Sequence, residues 1–258
     1  MSVFLDTFER NRYAVFPNAQ PETFARFRKV FKDVAEEFVG YPIEDLNLLH
    51  KYVTVEQINP LRVKIFNALN ALPNWKKDYY SLAADQLSAM FGPDISIQIK
   101  LCLSIQMPND AGSVLMMHSD TMSGQSQFEC VLWTAVTDAF DSNAMYIFHP
   151  PESQKIYDAL PSYQHRGMNE LFEDNKKDAV IANAKMGDCI LFSSTLFHGN
   201  QLNKTDKTRI SLNCRFKSLF SPEYAAVPHE RTTGTFYEPL FMSPVTKIGL
   251  AYNENILF

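Results

Sequence analysis

The chain has 258 residues, of which 46% are hydrophobic and 13% aromatic, and its formal net charge is −5. This hydrophobic content supplies a substantial core, and the length suits one large domain, so residues 1–258 are expected to form a single domain. The negative charge argues against nucleic acid as the main partner, because binding to phosphates requires a basic surface. No stretch approaches the roughly 18 uninterrupted apolar residues of a transmembrane helix, so no membrane partner is expected.

Two further features of the chain predict a cytoplasmic location. Residues 1–6 lack the basic region and the long apolar stretch of a secretory signal. The cysteines lie far apart in apolar runs, without C-x-x-C spacing, at Cys102, Cys130, Cys189 and Cys214. This pattern is typical of small buried hydrophobic residues in a reducing compartment rather than of disulfides or thiolate ligands.

The first third of the chain has the pattern of helices after a short strand at 12–16. Pro21 suits the first turn of a helix, apolar residues then recur every three or four positions, and Gly40 ends the pattern. Further helical patterns lie at 46–52, 61–72 and 79–91. We expect residues 20–92 to form a helical buttress whose apolar faces are covered by the rest of the protein.

From residue 95 onward the periodicity of the sequence changes to two. Between 97 and 107, aliphatic residues alternate with mostly polar ones, which predicts a strand with one apolar and one polar face. Further strand patterns lie at 128–136, 145–149, 179–181, 188–192 and 209–217. Helices followed by many strands predict a mainly β fold with flanking helices, namely a double-stranded β-helix (a cupin-like jelly roll) over about 95–220. The segment from about 221 to 258 is expected to form either a lid over the barrel mouth or a dimer contact.

His118-Ser119-Asp120 and the distant His198 form a candidate metal site. In an extended segment, side chains two residues apart point to the same side, so His118 and Asp120 can reach one ion. A barrel can bring His198 to them from the opposite wall. Two imidazoles and one carboxylate hold one face of a ferrous ion and leave the other open, as non-haem iron oxygenases need. Zinc would fit the same ligands, so the residues alone leave the metal open.

The strand that follows His198 predicts an anion site. Arg209, Ser211, Asn213 and Arg215 alternate with apolar residues, which makes sense if they line a polar cavity. An arginine can hold a carboxylate through two parallel hydrogen bonds, and a serine can add a third. Arg209 and Ser211 are therefore assigned to the distal carboxylate of a keto-acid co-substrate, 2-oxoglutarate. Asn213 and Arg215 are candidates for substrate contacts, with a structural ion pair as an equal alternative for Arg215.

Three other residues are weaker candidates for substrate contacts. Gln98 and Lys100 face the same way on the first alternating strand and are candidates for the cavity wall. His149 ends a later strand and could also face the cavity.

The candidate metal and anion residues belong to a longer spaced series, Gly187-Asp188, Leu191-Phe192, His198-Gly199, Asn203 and Arg209. This series resembles the phytanoyl-CoA dioxygenase superfamily of Fe(II)/2-oxoglutarate oxygenases. The segments around His118-Ser119-Asp120 and 210–217 look closer to one branch, the oxygenases of carbohydrate and aminoglycoside biosynthesis clusters, similar to the streptomycin-cluster oxygenase. The family's Asp…Asn-Gly segment is represented by Asp138…Asn143, with Ala144 in place of glycine, and its Pro-Gly-Ser-His is absent. The resemblance covers about 95–225 and implies a double-stranded β-helix, iron and 2-oxoglutarate.

The site residues and the resemblance together predict an oxidoreductase that converts 2-oxoglutarate to succinate and CO2 while molecular oxygen hydroxylates a small polar substrate, such as a sugar or a sugar conjugate. Desaturation or epimerisation would use the same site. A metal-binding cupin-like isomerase and a non-catalytic sugar-binding jelly roll are the alternatives. The complete triad together with Arg209 favours the oxygenase, because a vestigial site usually loses a ligand first.

Overall fold

A computed structural model describes residues 2–223 and 231–254. In this part of the chain the α-helices are α1 (Ser2–Asn11), α2 (Pro21–Val39), α3 (Val55–Ala71), α4 (Trp75–Ser81), α5 (Ala84–Phe91), α6 (Pro150–Ala159), α7 (Met168–Asn175) and α8 (Pro244–Glu254). The strands are β1 (Tyr13–Pro17), β2 (Ile95–Gln98), β3 (Cys102–Gln106), β4 (Glu129–Ala135), β5 (Met145–Ile147), β6 (Val180–Ala182), β7 (Asp188–Ser193), β8 (His198–Gly199), β9 (Arg209–Ser218) and β10 (Tyr237–Phe241). The fold is therefore a mixture of helices and antiparallel strands, with a larger helical share than the expected mainly β class implies.

Helix α2 shows why the N-terminal sequence forms helices. Pro21 occupies its first turn, where the missing amide hydrogen is not needed. Its apolar stripe places Phe24, Phe27 and Phe31 in the core. Gly40 ends the helix in the left-handed conformation with φ of 85°, which glycine adopts without a steric penalty.

The strands form two antiparallel sheets. The larger sheet has seven strands in the order β1-β7-β4-β9-β2-β10, with β3 paired to β9. The smaller sheet has three strands in the order β6-β5-β8. The single strand expected over 97–107 is divided into β2 and β3, which pair with different parts of β9 and are separated by a bend at residues 99–100.

The two faces of the larger sheet have different neighbours. One face carries Leu132, Leu191 and Leu212, which pack in one apolar cluster with the N-terminal helices. The other face carries Trp133 and Phe192, which share a second cluster with residues of β5 and β6 in the smaller sheet. A strand alternates between its faces, so the polar residues of β9 that alternate with Leu212 lie on the side of the smaller sheet.

The four cysteines form no disulfide. Cys102 is half-buried, and the others are buried, namely Cys130, Cys189 and Cys214.

In the C-terminal segment expected to form a lid or a dimer contact, β10 pairs with β2 and extends the larger sheet. Among the helices of the described ranges, none combines the length and apolarity needed to cross a bilayer.

Candidate metal and anion site

A short backbone pairing brings the two candidate histidines together. His118 and His198 exchange backbone hydrogen bonds, with N–O distances of 3.0 Å and 2.9 Å. The next residue, Gly199, approaches the neighbouring segment closely: a Cβ there would lie 2.9 Å from the Leu115 carbonyl oxygen and 2.5 Å from the Tyr146 hydroxyl. Any larger residue would push the two segments apart, so Gly199 permits the pairing that aligns the two imidazoles.

The side chains of His118, Asp120 and His198 converge on one point. Their candidate ligand atoms all lie within 4.8 Å of one another. The Nδ1 atom of His118 lies 2.8 Å from the Met116 carbonyl oxygen, and that of His198 lies 3.0 Å from the Leu196 carbonyl oxygen. A carbonyl oxygen can only accept a hydrogen bond, so both Nδ1 atoms carry the proton and donate it. In the neutral ring the lone pair then lies on Nε2 and is available to a metal. This is the tautomer that a metal ligand needs, and the donor set fits Fe(II).

The electrostatic environment keeps this donor set ready for a cation. Burial lowers the pKa of His198 to about 4, so its ring is neutral near pH 7. Burial alone would raise the pKa of the Asp120 carboxyl, but the Arg215 guanidinium and the two histidines outweigh it and hold this pKa below its ordinary value. Asp120 is therefore ionised, and the triad offers the neutral ring of His198 beside one negative carboxylate.

Arg209 is buried close to the triad and is held by neutral groups. Its Nε donates to the Asn143 carbonyl oxygen at 3.2 Å, and Nη2 donates to Gln106 Oε1 at 3.0 Å. Nη1 donates to the Ser211 hydroxyl at 2.9 Å. Among the residues that the structure describes, no carboxylate lies within ion-pair distance of Arg209, and burial lowers its pKa to about 10. A buried cation without an anion is costly, so this position is suited to an anionic ligand.

A cavity of about 110 Å³ connects the triad with Arg209. Its wall is formed by the triad, Arg209, Asn213 and Arg215, together with Ser104, Leu115, Val131, Trp133, Met145, Phe192, Gly199 and Asn200. A larger cavity of about 480 Å³ is lined by Thr121 and Tyr157 but by none of the triad. Tyr157 contacts Ser119, whose side chain points away from its ligating neighbours, so the smaller cavity is the one relevant to metal chemistry.

Arg215 forms the ion pair that was one of its two expected roles. Its Nη2 lies 3.0 Å and 2.9 Å from the two Asp120 carboxylate oxygens. Its Nε lies 3.3 Å from Glu129 Oε1, and Nη1 donates to Gln98 Oε1 at 3.2 Å. The guanidinium lines the cavity, but its Nη1 and Nη2 donate to protein groups and its Nε faces the Glu129 carboxyl. Gln98 thus reaches the site through Arg215, and Asn213 lines the cavity directly.

Two of the weaker candidates require correction. Lys100 is exposed and outside the cavity, because the chain bends out of the sheet between β2 and β3. His149 is half-buried before α6 and packs against Tyr13, with ring centroids 5.6 Å apart, so it does not line this cavity either. Both predictions assumed that the strand pattern continues without interruption.

Several residues of the site were not identified from the sequence. Gln106 and Asn143 position Arg209, Asn200 lines the cavity, and Glu129 pairs with Arg215. The signal for Gln106 is its place on the polar face of an alternating strand, opposite Arg209 in the β3–β9 register. The other residues lie in loops or at strand ends, where alternation gives no information.

Replacing Glu129 with glutamine should flatten the pH dependence of stability in the metal-free protein. Burial raises the pKa of the Glu129 carboxyl from 4.5 to about 8, although Arg215 opposes this. A raised folded-state pKa means that the folded form binds the proton more tightly than the unfolded form. The resulting contribution to the free energy of unfolding is complete below about pH 4.5 and is lost as pH rises through about 8. Urea unfolding of the wild type and of Glu129→Gln between about pH 5 and pH 9 measures how the free energy of unfolding of each protein changes with pH. Parallel curves for the two proteins would contradict the expectation.

The chain is similar to known proteins in its sequence and in its fold. A sequence model of the family described as phytanoyl-CoA dioxygenase (PhyH) matches residues 8–211. The sequence search of curated proteins gave no match. The fold is similar to several solved structures, each below 20% sequence identity, so this likeness concerns the fold alone.

Three of these structures illustrate the likeness. HygX from Streptomyces hygroscopicus, with nickel and 2-oxoglutarate bound, has 13% identity and a TM-score of 0.56, over 93% of this chain and 97% of that chain. EctD from S. alaskensis, with 2-oxoglutarate and 5-hydroxyectoine, has 16% identity and a TM-score of 0.57, over 85% and 76%. The non-heme monooxygenase ThoJ in a nickel complex has 18% identity and a TM-score of 0.53, over 98% and 94%.

Proposed function

We propose, because this chain belongs to the phytanoyl-CoA dioxygenase family, that His118, Asp120 and His198 hold its iron and that Arg209 with Ser211 binds its keto-acid. The protein is a 2-oxoglutarate-dependent non-haem iron dioxygenase, with Fe(II) and 2-oxoglutarate as cofactor and co-substrate. The observation that carries the residue assignment is that an intact triad and a buried arginine, which has no acidic partner among the described residues, share one small cavity.

The bound iron supplies the oxidation, in which 2-oxoglutarate and O2 give succinate, CO2 and an oxidised substrate. The protein residues orient the reactants around it. The backbone carbonyls at Met116 and Leu196 fix both imidazole rings through their Nδ1 atoms. Arg209 and Ser211 hold the distal carboxylate, which aims the keto-acid from the depth of the cavity towards the triad. Trp133 and Phe192 line the cavity with apolar surface and limit access of water.

The substrate is proposed to be a small polar molecule such as a sugar or a sugar conjugate, which the enzyme hydroxylates. Ser104 and Asn213 support this, because their side chains are uncharged hydrogen-bonding groups on the cavity wall. Arg215 is paired with Asp120 and Glu129, so the residues described on the cavity wall include no second unpaired arginine for an anionic substrate. Desaturation and epimerisation would place the same demands on these residues.

The proposal also includes the architecture, the cellular location and the oligomeric state of the protein. Two antiparallel sheets packed face to face, with the cavity between them, favour a jelly roll as the core of one oxygenase domain spanning residues 1–258. The free cysteines favour the reducing cytoplasm. A homodimer through the C-terminal region remains part of the proposal, and gel filtration with light scattering tests it.

An anaerobic visible spectrum of the protein with Fe(II) and 2-oxoglutarate tests the proposed function. We expect a weak charge-transfer band in the wild type, since a keto-acid chelated to ferrous iron absorbs visible light, and we expect no band in His198→Ala. If metal binds and the wild type shows no band, the keto-acid assignment fails. A cupin-like isomerase or a sugar-binding jelly roll would then be the better interpretation.

A further inference from the structure

The side chain of Arg215 connects the candidate metal ligand Asp120 with a second buried carboxyl group. Its Nη2 contacts both oxygens of Asp120, at 3.0 Å and 2.9 Å, and its Nε lies 3.3 Å from Glu129 Oε1. Gln98 Oε1 accepts from the remaining nitrogen, Nη1, at 3.2 Å. Hydrogen bonds to Asp120 and Gln98, together with the ion-pair contact with Glu129, therefore restrain the guanidinium and leave it little freedom to rotate.

Strand β10 completes this arrangement from the C-terminal part of the chain. The hydroxyl of the fully buried Tyr237 donates to Glu129 and lies 2.8 Å from Gln125 Oε1. The ammonium group of Lys217 lies 4.5 Å from the centre of the Tyr237 ring and 2.6 Å from Glu223 Oε1. A series of buried contacts, called the buried chain below, thus runs from Tyr237 on β10 through Glu129 and Arg215 to Asp120.

Two members of this series of contacts lie beyond the residues that the family model matches. The phytanoyl-CoA dioxygenase model matches residues 8–211, whereas Arg215 and Tyr237 follow its end. Burying these groups is costly unless each finds a partner. The partners of Tyr237 and Arg215 lead to the candidate ligand Asp120, whereas Lys217 pairs with the exposed Glu223.

We propose that Arg215 is a positioning residue that fixes the Asp120 carboxylate relative to the two imidazoles, and that Tyr237 holds Arg215 in place through Glu129. This rests on the proposed function, because it takes Asp120 as a metal ligand. A carboxylate whose two oxygens are both engaged by one guanidinium nitrogen cannot turn freely about its last torsion angle. Strand β10 is consequently a functional part of the metal centre, although it contributes no ligand.

Co(II) and 2-oxoglutarate binding to purified full-length variants test this proposal. Outer-shell partners of ligands typically contribute about 10–100-fold to metal affinity, so we expect Arg215→Gln to weaken Co(II) binding by about that factor and to weaken 2-oxoglutarate binding along with it. The visible absorption of Co(II), which depends on coordination geometry, should change as well. Arg215→Lys keeps the charge but not the planar fork, so it should restore neither property fully.

Tyr237→Phe provides the milder variant in case Arg215→Gln does not fold. It changes no charge, and we expect a smaller change of the Co(II) spectrum in the same direction as for Arg215→Gln. Leu240→Ala and Glu238→Gln, on the same strand but outside the buried chain, are the matched controls for lost stability and lost charge. Both should leave the spectrum and the 2-oxoglutarate affinity unchanged, even where the melting temperature falls.

The outcomes separate this proposal from the function on which it rests. A wild type that binds no Co(II) or no 2-oxoglutarate would contradict the proposed function itself. A wild type that binds both, with Arg215→Lys and Tyr237→Phe indistinguishable from it, would overturn only the positioning role. Equal spectral changes in Leu240→Ala would also overturn it, because loss of stability would then account for the effect.

Discussion

His198→Ala is expected to abolish turnover and to weaken iron binding by about 100-fold or more, since loss of an outer-shell partner alone costs up to about that factor. The ring of His198 is buried and lies with its centroid 4.4 Å from that of His118. Its Nδ1 is used by the Leu196 carbonyl, so the lost Nε2 has no replacement on this strand. Metal titration followed by fluorescence or calorimetry, together with single-turnover succinate formation, measures both effects.

His149→Ala is the matched control for the loss of an imidazole. His149 lies outside the cavity against Tyr13, so its removal should leave iron binding and turnover close to wild type. Circular dichroism and thermal unfolding establish that each variant is folded. Full activity in the alanine variants of His118, Asp120 and His198 would refute the triad assignment.

The polar face of β9 shows what sequence can predict about this site. Alternation with period two assigns every residue of a regular strand to one face, and β9 is regular along its pairing with β4. Arg209, Ser211, Asn213 and Arg215 were therefore grouped from the sequence. The spacing of His118 and Asp120 carries the same information for a shorter extended segment.

The partners of these residues could not be predicted in the same way. The pairing of Arg215 with Glu129 depends on the register between β9 and β4, and that register places Arg215 opposite Val131, two residues beyond Glu129. A single sequence contains no direct signal for register. The bend between β2 and β3 could not be predicted either, because the sequence alternation continues through it. This bend exposes Lys100, which the alternation had placed on the cavity wall.

Arg209→Met is expected to raise the 2-oxoglutarate KM by about 100-fold or more, because truncating one partner of a buried hydrogen-bonded charge pair costs roughly 2–5 kcal/mol. Iron binding should change little, since Arg209 contacts none of the triad side chains. Steady-state kinetics with varied 2-oxoglutarate, beside a metal titration, separate the two effects.

The stability of the free protein gives an independent test of Arg209. The wild type buries this guanidinium without an acidic partner in the described part of the chain, so an anionic ligand should stabilise it strongly. We expect 2-oxoglutarate to raise the melting temperature of the metal-loaded wild type, and expect little of that rise in Arg209→Met. Arg209→Lys should show an intermediate rise, because lysine supplies the charge without the two parallel hydrogen bonds. Arg62→Met, on α3 and outside the cavity, should respond like the wild type. An unchanged 2-oxoglutarate KM in Arg209→Met would instead assign the distal carboxylate to another residue and leave the burial of this cation without a ligand to explain it.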